Sequence, residues 1–247
     1  RKLVVDILAD ASRFASEVTK ADGYTKRLKG SMKALGSSMA IGVGAAGAAA
    51  FAFGKSALDA AIDAEKAQKA VEATIKSTGG AANVTAKDID KFASKMQMKT
   101  GIDDEAIKKS QALLLGFKSV RNESGKGNKI FNRASVAMLD LGAKLGSTDS
   151  AAKALGRALT DPVNGLKGLK GAGVSLTDSQ KETIKNLVET GDLLGAQKIV
   201  LDEVTGATGG FAESQVTAGD KAKLAFGEIQ EKIGAGLLPV AEKLGTW

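Results

Sequence analysis

The chain has 247 residues, 35 basic and 28 acidic groups, a net charge of +7, and neither His nor Cys. Those two absences exclude Ser-His-Asp and Cys-His nucleophilic chemistry, Cys/His zinc sites, haem ligation through His or Cys, and disulfides; carboxylate chemistry stays open. With thirty glycines, two prolines and ten aromatic residues, abundant Ala, Lys, Leu and Glu predict an all-α chain whose glycines end helices or let them pack closely.

Residues 3–8, Leu-Val-Val-Asp-Ile-Leu, fit either a short strand or the start of a helix. From Ala9 the pattern is helical, and 1–33 forms an N-terminal helical segment. Residues 34–54 then carry no charge. A helix of that length spans roughly 30 Å, the thickness of a bilayer core. Its large apolar residues are few, and Ala40, Gly44, Ala48 and Ala52 repeat every four positions as a ladder of small side chains, followed by Phe51 and Phe53. Such a segment either meets a membrane or packs helix on helix inside an assembly. Its position behind a mixed-charge helix disfavours a signal peptide.

A helical section covers 55–121. Leu58, Ala61, Ile62, Val71 and Ile75 share one face of its first helix, which Ser77-Thr78-Gly79-Gly80 ends; a second fits 86–98, and Gly101 precedes a third. Asp103, Asp104 and Glu105 fall in the first turn of the third, where negative charge complements the helix dipole. Adjacent helix positions point in different directions, so this reading is preferred to a metal site. Residues 122–128 form a polar loop. Its Gly125-Lys126 lacks the glycine spacing and the following Ser/Thr of a phosphate-binding loop.

A second helical section covers 129–206. Ile130, Ala134, Ala137, Met138, Leu141 and Leu145 repeat at three and four, and a short helix with Ala152, Leu155 and Leu159 stops before Asp161-Pro162. Residues 166–173 are a Gly-Leu-Lys repeat that suits a tight, turn-rich link. Thr177 and Gln180 have capping-box spacing, and Thr190-Gly191-Asp192 separates two further helices. Residues 205–210 read as a flexible break.

The final section, 207–247, is the start of a long coiled-coil-like helix beginning near Thr217. Ala222, Phe226, Ile229, Ile233, Leu237, Val240 and Leu244 approximate a heptad seam with one four-residue irregularity. Of these, Phe226, Ile229, Ile233, Leu237, Val240 and Leu244 are the candidate oligomer seam; packing within the chain's own domain is equally compatible with the spacing. Gly234, Gly236 and Pro239 are expected to bend the helix. Arg1 and Trp247 both read as cuts from a longer chain. The expected architecture is a multi-helix bundle or elongated helical assembly, its last helix continuing beyond residue 247. No catalytic, cofactor or metal residues are assigned.

Leu159-Thr160-Asp161-Pro162 and Leu166-Lys167-Gly168-Leu169-Lys170-Gly171-Ala172-Gly173-Val174 resemble the "DP…L..L..AGV" pattern of phage tail tape measure proteins. Leu176-Thr177, Gln180, Ile184, Leu187, Thr190-Gly191-Asp192 and Ala196-Gln197 follow in order. So do Gly209-Gly210-Phe211-Ala212, Thr217-Ala218-Gly219-Asp220, Ile233-Gly234 and Leu238-Pro239. The resemblance covers residues 130–245 and points to the N-terminal region of such a protein. It implies a structural, non-enzymatic virion component in the tail lumen, made in the host cytoplasm, that sets tail tube length and leaves during DNA ejection. The implied partners are other copies of the chain, tail tube protein, tail-tip proteins, tail assembly chaperones and the host membrane.

The charge is uneven, with 26 basic against 16 acidic groups through residue 160 and 9 against 12 after it. The basic part suits an acidic surface, but its intermixed acids and lack of interleaved aromatics argue against specific nucleic-acid binding. A membrane-active helical protein, pore- or toxin-like and acting through 34–54, is the alternative reading.

Overall fold

In the computed structural model the described backbone covers residues 45–245, with side chains described from 53 to 239. Residues 1–33, Ala40 and Gly44 lie outside it, as does the strand-or-helix question at 3–8. Among the described residues the chain is all-α: nine α-helices, one 3-10 helix and an isolated bridge between Asn122 and Lys129.

The elements are α1 (Ala45–Ser77), α2 (Ala86–Thr100), α3 (Asp104–Leu115), α4 (Ile130–Leu145) and α5 (Thr148–Thr160). After the 3-10 helix (Gly165–Ala172) come α6 (Asp178–Glu189), α7 (Leu193–Thr208), α8 (Phe211–Ser214) and α9 (Ala218–Gly245). Helix α1 runs unbroken through the expected boundary at 54/55. Two units divide the chain: Asp63–Ala225, and a second made of the residues before 63 with those after 225.

The larger unit is built on α4. Ten of its sixteen residues are buried, so it is enclosed on more than one face, as expected of a central helix. Ile130, Phe131, Met138, Leu139 and Leu141 are at most 1% exposed. Each such side chain contributes about 1.5–3 kcal/mol on removal from water. Helices α5, α7 and α8 pack directly on α4, α3 packs on α5, α2 on α3, and α6 on α7. Val71 and Ile75 from the last turns of α1 join the same core.

Local chemistry sets the helix limits. Thr85 and Asp88 form a reciprocal capping box at α2, Thr177 and Gln180 one at α6. At α9, Thr217 and Asp220 exchange the same pair of bonds, with Thr217 N donating to Asp220 Oδ2 at 3.0 Å and Asp220 N to Thr217 Oγ1 at 3.2 Å. Each arrangement satisfies backbone N–H groups that the first helical turn leaves without partners. The loop at 122–128 is closed by Asn122, which is buried; its Nδ2 donates to Asn132 Oδ1 at 2.9 Å and its Oδ1 accepts from Asn132 N at 3.2 Å.

Two segments differ from expectation. The Gly-Leu-Lys repeat forms a regular 3-10 helix, Gly165–Ala172, whose three residues per turn sort its positions into three rows. Gly165, Gly168 and Gly171 form one row, Leu166, Leu169 and Ala172 the second, Lys167 and Lys170 the third. The glycine row lies along α5: a Cβ at Gly165 would come within 2.5 Å of Arg157 O, and one at Gly168 within 3.0 Å of Ala154 Cβ. The second row enters the core, with Leu169 fully buried. Residues 205–210 are not a loose break either. Helix α7 continues to Thr208, which is buried. Lys144 Nζ donates to Ala207 O at 2.7 Å, and the carboxylate of Asp140 accepts from Gly210 N at 3.1 Å and Ala212 N at 3.0 Å. Tertiary hydrogen bonds hold the turn that composition alone marks as free.

Candidate interaction site

In the smaller unit, residues 45–54 of the expected small-residue segment lie in the first part of α1, and the expected seam lies in the second part of α9. Phe53 and Phe226 meet edge to face with ring centroids 6.1 Å apart, a geometry that sets the positive ring edge against the negative face. One turn on, Gln230 Nε2 donates to Ser56 Oγ at 3.0 Å. Beyond that, Gly234 and Ala57 come into backbone contact: a Cβ on Gly234 would overlap Ala57 O and lie 2.9 Å from Ala61 Cβ. Ala57 and Ala61 are 0% and 3% exposed. Small residues here remove the side-chain volume that would otherwise separate the backbones.

Among the described residues, Ala57, Ala61 and Gly234 form this close contact. Ala40 and Gly44 lie outside the described residues; Ala48, Phe51 and Ala52 sit in α1, and Val240 and Leu244 in α9, without described side chains. Phe226 remains 53% exposed despite its ring contact. Ile229, Ile233 and Leu237 are half-buried, and Ala222 is exposed. Pro239 lies inside α9, whose helix continues to Gly245. Among the described residues no helix is long and apolar enough to cross a membrane.

The acidic run at α3 has a different geometry from the one expected. A carboxylate oxygen from each of Asp103, Asp104 and Glu105 lies within 4.8 Å of the others. They converge because Asp103, the N-cap, has extended backbone (φ −58°, ψ 138°), and its side chain makes no capping hydrogen bond. Asp104 and Glu105 are buried. Lys108 bridges Asp104 at 2.8 Å and Asp90 at 3.0 Å. Burial opposes the lysine charge, but hydrogen bonds to Asp104 and Asp90 hold its ammonium above the ordinary lysine range.

Burial, followed by repulsion from Asp104 and Asp103, pushes the Glu105 carboxyl up to about 9. It therefore holds its proton at neutral pH, and its Oε1 has no hydrogen-bond partner. Any cation taken by this all-oxygen set would compete with the Lys108 ammonium and with the positive end of α3. The four-residue spacing of Asp104 and Lys108 was a readable signal of their ion pair; the burial of Glu105 had none.

Gln197, quoted above for its sequence order, has a packing role. It is buried, and its Nε2 donates to Ser119 O and Leu159 O, both at 2.9 Å. One amide thereby ties α7 to the end of α5 and to the 117–120 turn. No family model matches the chain, and no characterised protein or solved structure is significantly similar to it.

Proposed function

We propose that the chain is a structural component of a phage tail, the N-terminal region of the tape measure that sets tube length and is released during DNA ejection. The observation that carries this reading is the ordered motif set from Leu159 to Pro239. The fold supports a structural interpretation of that set, because its distinctive residues serve packing or termination. Gly168 admits α5, Thr177 and Gln180 cap α6, Gln197 joins three segments, and Gly234 admits α1.

Assembly with other copies is supported by the partial exposure of Phe226, Ile229, Ile233 and Leu237. Apolar area left at the surface of a helix favours association. In this reading the basic groups preceding residue 160 face an acidic tube lining, and the tube, tail-tip and assembly chaperone proteins are the partners. The experiment is quantitative mass spectrometry of purified particles before and after triggered ejection. The chain should be present in intact tails at several copies each and depleted after ejection. Its absence from intact tails would exclude the proposal.

A further inference from the structure

The lysine row of the 3-10 helix borders a cavity of about 590 Å³. Its apolar lining includes Val163, Leu166, Val174 and Leu176, and its basic lining comprises Lys167, Lys170, Lys181 and Lys185, with Glu182 the single acid. The volume falls in the range of clefts that enclose a ligand, about 300–1,000 Å³. Val163 is 42% exposed, an apolar surface at a concave site.

The charge around this groove is unbalanced. Lys181 is paired with Asp178 at 2.7 Å and Lys185 with Glu189 at 3.8 Å. Lys167 and Lys170 form no ion pair among the described residues. Three residues per turn places them one above the other, so their like charges reinforce at the same edge. The groove therefore offers the exposed Val163 and the half-buried Leu166, with Val174 and Leu176 at its floor, beside two ammonium groups that form no ion pair among the described residues.

We propose that this groove receives an acidic amphipathic helical segment of a partner protein. The segment's apolar side chains lie against Val163, Leu166, Val174 and Leu176, and its carboxylates pair with Lys167 and Lys170. This follows the helix-in-groove mode, in which apolar anchors repeat at three and four positions. Single-stranded nucleic acid fits less well, because the groove has no aromatic platform for a base. A flat anionic membrane would reach the lysines but leave the concave apolar lining unfilled. The inference does not depend on the tail assignment.

The test uses the full chain and a fluorescent helical peptide of about 14 residues, with Leu on one face and Glu on the other. Anisotropy should show saturable binding that weakens as salt rises. K167E/K170E should weaken it about tenfold, the loss of roughly 1.4 kcal/mol; V163D should also weaken it. All three positions are exposed, and far-UV circular dichroism should show unchanged helix content. NMR shifts in the wild-type chain should concentrate at residues 162–185. Absence of binding, equal binding of a scrambled acidic peptide, insensitivity to both variants, or preference for oligo(dT) or phosphatidylglycerol vesicles at these lysines would each overturn the proposal.

Discussion

Gly234 approaches the backbone of Ala57 so closely that a β-carbon would overlap the Ala57 carbonyl oxygen. Helix propensity and packing therefore make opposite demands at this position. In an isolated helix Gly→Ala stabilises by about 1 kcal/mol. Here Gly234→Ala should destabilise the contact by about 1–3 kcal/mol, because backbone must move. Gly236→Ala meets nothing within 4 Å and should be neutral or stabilising. Hydrogen exchange of α1 and α9 amides should separate the two variants, with faster exchange only in Gly234→Ala.

Glu105 makes the stability of the larger unit fall as pH rises from about 4.5 towards 9. Its folded-state carboxyl titrates near 9, against 4.5 ordinarily. The unfolded chain loses this proton first, so the associated stability is complete below about pH 4.5 and falls as pH rises towards 9. Glu105→Gln removes the titration while keeping the shape and a donor. Thermal unfolding should show a higher Tm than the parent at pH 8 and little difference at pH 4. The rise should be about 2–4 °C per kcal/mol regained. A parallel pH dependence in both proteins would show that Glu105 is not the titrating group.

Removing the amide of Gln197 should be expensive for a single surface-distant side chain. Gln197→Leu leaves Leu159 O and Ser119 O without the donor that reaches both. The expected cost is about 1–3 kcal/mol, measured by urea unfolding. Lys198→Leu, at the half-buried neighbouring position, should cost less.

The 3-10 helix gives a paired test of row geometry. Gly165→Ala would drive a methyl into Arg157 O and Ala158 Cα, whereas at Gly171 the nearest atom is Leu145 Cδ2 at 3.6 Å. The first substitution should lower stability by about 1–3 kcal/mol and the second should be nearly silent. Chemical denaturation of both variants at one pH checks the difference.

The helices with strong periodicity were legible before the fold was known. Ile130, Ala134, Ala137, Met138 and Leu141 identify α4, and Thr177 with Gln180 marks the start of α6. The boxes at Thr85 and Thr217 were harder to notice because aspartate replaces the longer acid or amide at N3. The Gly-Leu-Lys repeat was visible, but the close approach of α5 to Gly165 and Gly168 required the fold. Residues 205–210 looked free because Asp140 and Lys144 act from more than sixty residues away in sequence. Convergence of Asp103, Asp104 and Glu105 depended on one extended backbone position, which spacing does not reveal. The pairing of Phe53 with Phe226 and of Ala57 with Gly234 required the fold.

We propose that this chain belongs to the ruler of a phage tail, and tail length is the most direct test of that reading. In a phage whose tails contain this chain, four uninterrupted helical heptads inserted after Gly245 would add 28 residues at about 1.5 Å each. Electron microscopy of the particles should show tails longer by about 40 Å, with a narrow length distribution. Fully assembled tails of unchanged length, carrying the inserted protein, would contradict the account.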